Sequence, residues 1–276
     1  MPSTMPELIL RTKGACQIDP EHLCQVFGDQ RQRFATVLRE FGPGDWTGAT
    51  RCSSWSAHAV VRHLCDISTM GVAIGPGDRR LDFATGFDPR TAPGQWMAWS
   101  AGESPAATLG RYTATTGEML DLARSRLADD HRFDVFMPYG MMDWTVLLLH
   151  GFWDSWIHER DVLLARGAEH PTDDEATAYA IAYGVFISAA VGSMFGAPVH
   201  ETLALGGDGG GVIEVDSTDG VTLTLHRASA AGPHAAEVAD TLAGRAQTAA
   251  VLGDLPPGSR AALMALADYF RTPVEP

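Results

Sequence analysis

Lysine is almost absent from this sequence. Of the 20 basic residues in the 276-residue chain, only Lys13 is a lysine, and 34 acidic residues bring the formal net charge to -14. A chain this acidic repels phosphate backbones and anionic lipid surfaces, so nucleic acids and membranes are poor partners. Small-molecule chemistry is the better expectation, carried out by a monomer or a homodimer.

Targeting signals are also missing. The first ten residues, MPSTMPELIL, lack the basic region and apolar core of a secretory signal. We find no apolar run of the roughly 18 residues that would indicate a membrane span. These absences predict a cytoplasmic protein.

Cysteine is scarce and unevenly placed. The four cysteines lie in the first quarter of the chain and form no C-x-x-C pair, so a thiolate zinc site is not indicated. In a reducing cytosol they are expected to be buried thiols rather than disulfides. They are Cys16, Cys24, Cys52 and Cys65.

Several catalytic motifs are absent as well. The sequence has no H-E-x-x-H, no G-x-x-x-x-G-K-[ST] and no G-x-S-x-G. The glycine-rich stretch 206–211 lies between two predicted strands with no helix after it, so we interpret it as a turn. His226 and Arg227 stand at a strand end, where a surface role is favoured over anion binding.

Apolar periodicity predicts four long helices in the first 168 residues. The first covers 19–41, the second runs from Ser56 to about 71, the third from Ser104 to about 127 and the fourth from Asp143 to about 167. Helices of this number and length are typical of a four-helix bundle.

The pattern changes after Pro171. An alanine-rich helix over 173–196 is followed by three short strand-like runs, with a hairpin turn at 218–220, and by helices near 235–252 and 257–270. The predicted fold is therefore mixed, with a helical bundle over residues 1–170 and a small α+β domain over 171–276.

Asp154 and His158 are the first candidates for chemistry. They are four residues apart on the fourth helix, so their side chains share one face. The neighbouring residues are apolar, and a carboxylate and an imidazole at a core require a partner. His63, in an otherwise apolar stripe of the second helix, supplies a third group. One carboxylate and two imidazoles suit zinc and leave a fourth position for water or substrate.

Other interpretations of these residues stay open. A single inward-facing histidine is more often a hydrogen-bonded core residue than a ligand. His150, one turn before Asp154, is a lesser candidate ligand. Asp66 and Asp161 each follow a proposed ligand by three residues and are candidates to orient its imidazole, although solvated helix acids are the commoner case.

The connection over 72–103 is long for a compact domain, and such segments are usually functional or mobile. We expect it to overhang the metal position as a lid. Its candidates for recognising a polar thiol or an acidic substrate, together with His150, are Arg79, Arg80, Arg90, Trp96 and Trp99; a solvated surface loop is the alternative.

Two segments resemble a known family. Residues 46–64, which begin with Trp46 and end in CSSWSAHAVVRHL, are similar to the W…C.GW.…DVV.HL signature of the mycothiol-dependent maleylpyruvate isomerase family. Residues 152–162, FWDSWIHERDV, resemble its E.W.H..D segment. That family belongs to the DinB-like metal-binding four-helix bundles, and the order of elements after 172 is similar to its small C-terminal domain.

The resemblance implies that His63, Asp154 and His158 occupy the metal-ligand positions. The family commonly has glutamate at the position of Asp154, and its Trp-Gly-Arg run is replaced here by Leu-Gly-Asp at 252–254. The implied cofactors are zinc, or nickel or iron in its place, and mycothiol as co-substrate. The implied activity is isomerisation or S-transfer on a small electrophile. A metal-binding module without catalysis, and a helical domain without metal, are the alternatives.

Overall fold

The structure is a computed structural model that describes residues 7–171, 173–246 and 250–271. Its first element is strand β1 (Leu8–Arg11). After it come α1 (Pro20–Arg39), the short α2 (Pro43–Thr47), α3 (Ala57–Ala73), a 3₁₀ turn (Phe83–Thr85), α4 (Ala92–Trp99), α5 (Pro105–Ala128), strands β2 (Asp134–Met137) and β3 (Gly140–Asp143), and α6 (Trp144–Ala165). The second half contains α7 (Asp174–Met194), β4 (His200–Leu205), β5 (Gly211–Asp216), β6 (Thr222–His226), α8 (Ala235–Leu242), α9 (Ala250–Gly253) and α10 (Pro257–Arg271).

The chain divides into two units by its internal contacts. The helical unit comprises Pro20–Pro138 and Met142–Pro171, and the mixed unit comprises the residues before 20, residues 139–141 and those after 171. The unit boundaries differ from the predicted domain ranges because the N-terminal strand joins the mixed unit. The predicted division of the chain into domains 1–170 and 171–276 stays a prediction.

Helices α1, α3, α5 and α6 pack together in the helical unit. Local sequence fixes where they begin: Ser56 and Ser104 accept hydrogen bonds from the backbone two or three residues on, and Asp143 does the same for α6. Phe34 and Tyr112 meet edge to face inside the bundle, with ring centroids 6.0 Å apart. The bundle therefore follows from caps and apolar faces, as the sequence predicts.

The mixed unit contains a four-stranded antiparallel sheet in the order β1-β6-β5-β4. Leu10 pairs with Leu223, and Leu225 pairs with Ile213, so apolar side chains line one face. Helix α7 packs on β5 and β6 and also contacts α8 and α10. The mixed fold class that the sequence predicts is confirmed.

The glycine-rich stretch 206–211 is a turn between β4 and β5, as predicted. A Cβ on Gly209, whose φ is +73°, would lie 2.5 Å from Thr177, so this position requires glycine. Arg227 forms an ion pair with Asp174 beside the turn. His226 contacts Glu7, with 2.8 Å between Nδ1 and Oε1. Both basic side chains thus engage carboxylates of the mixed unit.

Helix α7 is the one candidate membrane span among the described residues. It is long and apolar enough by length and composition, but 89% of its apolar window is buried inside the structure. The expectation that no segment reaches this threshold was wrong for 174–194, where alanine and other small apolar residues extend the run. Burial of this kind is ordinary for the central helix of a folded core.

Several elements differ from the prediction. The expected helix over 235–252 is wrong, because α8 ends at Leu242 and residues 247–249 lie outside the described residues. The connection 72–103 contains a 3₁₀ turn and α4 rather than irregular chain alone. Strands β1, β2 and β3 have no counterpart in the prediction, since four-residue strands are too short to show a reliable alternation.

Candidate metal centre

His63 lies on α3, and Asp154 and His158 lie one turn apart on α6. Nε2 of His63 is 3.2 Å from Oδ2 of Asp154, and Nε2 of His158 is 3.5 Å from Oδ1 of the same carboxylate. One ligand atom from each residue lies within 4.8 Å of the others. Both imidazoles are buried, whereas the carboxylate keeps 15% of its side chain exposed. The packing of α3 against α6 therefore joins three groups that are distant in sequence.

Some polar atoms of these groups are left without a well-formed hydrogen bond. Oδ2 of Asp154 and Nδ1 of His63 are buried, and neither has a hydrogen-bond partner among the described residues. Buried polar atoms normally have partners. Two imidazoles and a carboxylate with ligand atoms aimed at a common point have the donor set and spacing that a divalent metal ion takes. The residues therefore fit a metal.

The charges favour a cation as well. Burial by itself raises the pKa of Asp154, but attraction to His63, to His158 and then to His150 outweighs it and holds the pKa well below its usual value. The carboxylate is thus ionised at neutral pH. It brings a full negative charge to the centre without having to lose a proton.

Trp55 forms a wall of the centre. Its ring centroid lies 4.9 Å from that of His63 and 5.7 Å from that of His158. The loop that carries it is held by Thr50, whose hydroxyl donates to the carbonyl oxygens of Cys52 and Trp55. Trp55 was not among the predicted site residues, although it lies within the segment that resembles the family signature.

Asp161 contacts the other side of His158. Its Oδ2 lies 3.0 Å from Nδ1 of His158, within hydrogen-bonding distance, and its side chain is fully buried. The Cys52 thiol donates to the same oxygen at 3.1 Å, and Nε of Arg51 donates to Oδ1 at 3.2 Å. The structure thus brings Asp161 next to a proposed ligand, together with Arg51 and Cys52, which the sequence did not indicate.

Asp66 does not have the predicted orienting role. It accepts a hydrogen bond from Arg111 at 2.7 Å, and Arg111 also donates to Glu103. The contact between α3 and α5 thus directs Asp66 to a guanidinium. Nδ1 of His63 has no acceptor within the described part of the chain, so Asp66 does not orient that imidazole.

His150 lies near the centre but outside it. Its ligand atoms are not within 4.8 Å of the other three groups, as far as the described residues show. Its ring is 6.0 Å from that of Trp153, and it lines a small apolar pocket with Leu147 and Met119. Burial lowers its pKa, which favours a neutral imidazole. His150 is therefore placed beside the centre rather than as a fourth ligand.

Acidic neighbours engage the arginines of the 72–103 connection. Arg79 forms an ion pair with Asp82, Arg80 pairs with Asp78, and Arg90 pairs with Asp88 at 2.7 Å. These contacts lie within the segment, so an anionic substrate would have to compete with them.

The two tryptophans of the same connection differ. Trp96 stacks on Phe87, with 6.2 Å between ring centroids. Trp99 is 84% exposed at the end of α4. No contact of either ring with the three ligand candidates is seen among the described residues, and the role of these residues as a lid stays a prediction.

A buried network supports α6 on another side. Glu159 accepts hydrogen bonds from Gln30 at 2.9 Å and from Arg33 at 3.0 Å, and its Oε2 lies 3.3 Å from Nε2 of His170. Ser155 donates to Gln30 at 2.7 Å. Burial opposes ionisation of Glu159, but His170 and Arg33 outweigh it and lower the carboxyl pKa. The network fixes α6 against α1 and thereby the helix that carries two ligand candidates.

Two comparisons with known proteins gave a match. Residues 27–163 match the model of the mycothiol maleylpyruvate isomerase N-terminal domain. The fold is similar to the crystal structure of a mutant of the mycothiol-dependent maleylpyruvate isomerase, with 15% identity and a TM-score of 0.51 over 83% of this chain and 90% of that one. No curated protein sequence matches the chain.

The matched segment contains α3, α6 as far as residue 163, and all three ligand candidates. The structural likeness shows the fold alone, so the family is assigned from the match of residues 27–163. Residues 27–163 therefore form a domain of the mycothiol maleylpyruvate isomerase N-terminal domain family.

Proposed function

We propose that this chain is a metal-dependent enzyme that uses a low-molecular-weight thiol, mycothiol, to isomerise a small electrophilic substrate. The observation that carries the proposal is the convergence of His63, Asp154 and His158 on one point, inside a domain of the isomerase family. The cytoplasmic location and the monomeric or dimeric state remain predictions from the sequence.

Zinc is the metal that the donor set suits best, and nickel or iron are accepted by similar sites. Three protein ligands leave a coordination position for the thiol. His150 is the residue that would close this position in a purely structural centre, and it stands outside the group of ligand atoms. That placement supports a catalytic centre over a non-catalytic metal-binding module.

A free thiol has a pKa of about 8.5, so little of it is thiolate at neutral pH. A bound divalent metal lowers the pKa of a thiol that coordinates to it and so supplies the nucleophile. The protein's residues have three tasks in this chemistry. Asp154 contributes negative charge, Asp161 accepts a hydrogen bond from Nδ1–H of His158 and so leaves Nε2 free to ligate, and Trp55 screens one side from water.

The reaction conserves the thiol. Its sulfur adds to one carbon of a conjugated double bond, the remaining single bond rotates, and the carbon–sulfur bond then breaks to restore the double bond in the other geometry. S-transfer would instead keep the carbon–sulfur bond and expel a leaving group. The family's name favours isomerisation, and Trp99 is the exposed aromatic candidate for substrate contact.

The test combines metal content with thiol dependence. We expect about one zinc per chain by elemental analysis and cis–trans isomerisation of maleylpyruvate that requires mycothiol. His63→Ala and His158→Ala should lose both metal and activity. His58→Gln is the matched control, because His58 is on the same helix but bonds to Thr108 at 2.8 Å.

Two outcomes would contradict the proposal. Wild-type protein that holds no metal even after zinc is supplied would rule out the thiol chemistry. Protein that binds zinc through these residues but does not convert the substrate with any low-molecular-weight thiol would indicate the non-catalytic module instead.

A further inference from the structure

The loop between α2 and α3 is bonded to α6 beside the proposed metal centre. The backbone N–H of Arg51 donates to the carbonyl oxygen of Asp161 at 3.2 Å. Its side chain donates through Nε to Oδ1, and the adjacent Cys52 donates through its thiol to Oδ2. Two consecutive residues thus contact the backbone and both carboxylate oxygens of one aspartate.

Asp161 is fully buried in the protein. The Asp161 side chain is 0% exposed, while that of Arg51 is 19% exposed. A buried carboxylate without donors is expensive, so the donors on its two oxygens determine where it rests. Nδ1 of His158 lies 3.0 Å from the same Oδ2 that accepts from the thiol, and 3.7 Å from the sulfur.

The two nitrogens of His158 face different partners. Nδ1 is directed at Asp161, and Nε2 is directed at Asp154, 3.5 Å away. A neutral imidazole carries one proton, and the hydrogen bond made by one nitrogen decides which nitrogen is left as a ligand. Asp161 and Asp154 are therefore the two acceptors between which the proton of a neutral His158 is placed.

Cys52, His158 and Asp161 also satisfy the spacing of a second metal site. The charge of Arg51 argues against that use. Its guanidinium nitrogen lies 3.2 Å from Asp161, and a divalent cation on the same carboxylate would be repelled by it. The thiol and the guanidinium therefore act as hydrogen-bond donors rather than as parts of another metal centre.

We infer that Arg51 and Cys52 are positioning residues for the metal centre. By holding both oxygens of Asp161, they fix the acceptor for Nδ1–H of His158 and keep Nε2 unprotonated and aimed at the ligand cluster. The metal-binding part of this inference rests on the proposed function, and the tautomer part does not depend on it.

The experiment compares Cys52→Ala with Cys52→Ser, whose hydroxyl keeps a donor. Zinc affinity is measured by competition with a chromophoric chelator. The His158 tautomer is read from imidazole ¹⁵N resonances of the zinc-free protein at pH 8. Asp161→Asn removes the carboxylate acceptor and so shows how far the His158 tautomer populations can change. Cys24→Ala, the same substitution at a buried thiol of α1, is the matched control.

We expect Cys52→Ala to weaken zinc binding about tenfold, as substitutions behind a metal-ligating histidine do. The same variant should give a mixture of His158 tautomers. Cys52→Ser should restore affinity to within about threefold and the Nδ1–H tautomer, while Cys24→Ala changes neither. Arg51→Gln repeats the test at the other oxygen if Cys52→Ala does not fold.

Unchanged affinity and an unchanged tautomer in Cys52→Ala and Arg51→Gln would overturn the inference. So would an equal loss in Cys52→Ser and Cys52→Ala with an equal drop in melting temperature, because that pattern indicates packing alone. If the wild type binds no zinc, the proposed function fails, and the tautomer measurement still decides whether Cys52 positions His158.

Discussion

Nε2 of His63 lies 3.2 Å from Oδ2 of Asp154, yet this carboxylate oxygen has no hydrogen-bond partner among the described residues. A contact this short without a hydrogen bond is unusual for two buried polar groups. It is the arrangement expected when both atoms ligate the same ion. The pair brings α3 and α6 together at the position proposed for the metal ion.

Asp154 should be needed for its charge more than for its shape. Asp154→Asn keeps the size of the side chain but removes the negative charge, so we expect zinc affinity to fall by about tenfold or more. Asp154→Glu retains the charge on a longer arm and should keep most of the affinity. Chelator competition measures both. Equal affinities of the Asn variant and the wild type would exclude the carboxylate as a ligand.

Glu103 gives a pH-dependent contribution to stability. Burial raises its carboxyl pKa, but Arg111 and Thr108 outweigh this and hold the folded pKa below the usual 4.5. A lowered folded pKa means that the stabilisation is present above pH 4.5 and is lost as pH falls through the folded value. Glu103→Gln should cost about 1 kcal/mol at pH 7.

The difference in urea midpoint between wild type and Glu103→Gln should therefore shrink below pH 4.5. Glu118→Gln, an exposed acid on α5, the helix that carries Arg111 and Thr108, is the control and should show no such convergence. A difference that stays constant from pH 7 into the acid range would show that the Glu103 charge contributes nothing.

Two arginines of α1 should respond in opposite ways to substitution. Arg31 is 1% exposed beneath the rings of Phe27 and Tyr112, and its guanidinium nitrogens have no hydrogen-bond partner in the described part of the chain. Arg33 donates to the buried Glu159. Replacing an unpaired buried charge with an apolar side chain of similar size is often neutral or stabilising, whereas removing one partner of a buried pair is costly.

Arg31→Met should therefore leave the free energy of unfolding unchanged or raise it, and Arg33→Met should lower it by about 1–3 kcal/mol. Urea denaturation of both variants measures the difference. Strong destabilisation by Arg31→Met alone would mean that the guanidinium has a buried partner, such as an internal water or anion.

The four cysteines should react with thiol reagents in two classes. Burial raises the pKa of Cys24 to about 11 and that of Cys65 to about 12. Cys16 and Cys52 are partly exposed, and none of the four, all within the described residues, forms a disulfide. At pH 8, iodoacetamide should modify Cys16 and Cys52 first and the buried pair only after unfolding, as followed by peptide mass spectrometry. Early labelling of Cys65 would contradict this order.

The helices and the ligand candidates could be predicted from the sequence because local signals mark them. Caps such as Ser56 and Asp143 mark helix starts, and the spacing of Asp154 and His158 places them on one helical face. The bundle and the mixed fold class are confirmed. The ligand roles of these residues and of His63 stay predictions.

Contacts between residues distant in sequence were the part that sequence could not predict. Cys52 and Asp161 are 109 residues apart, and no periodic pattern relates a loop thiol to a helix carboxylate. Asp66 was predicted to orient His63 because it follows by three residues, but Arg111 on α5 provides a stronger, charged partner. Tertiary contacts therefore place Asp161 beside His158 and Asp66 beside Arg111, although local spacing made both aspartates candidates.

Strand β1 has a consequence for synthesis on the ribosome. Its neighbour in the sheet is β6, and Thr12 next to β1 bonds to Val221, 209 residues further along. During vectorial translation β1 cannot pair with β6 until the chain as far as Thr222–His226 has emerged. Pairing of β1 with β6 is therefore a late step, which can follow only after all the elements between them have been synthesised.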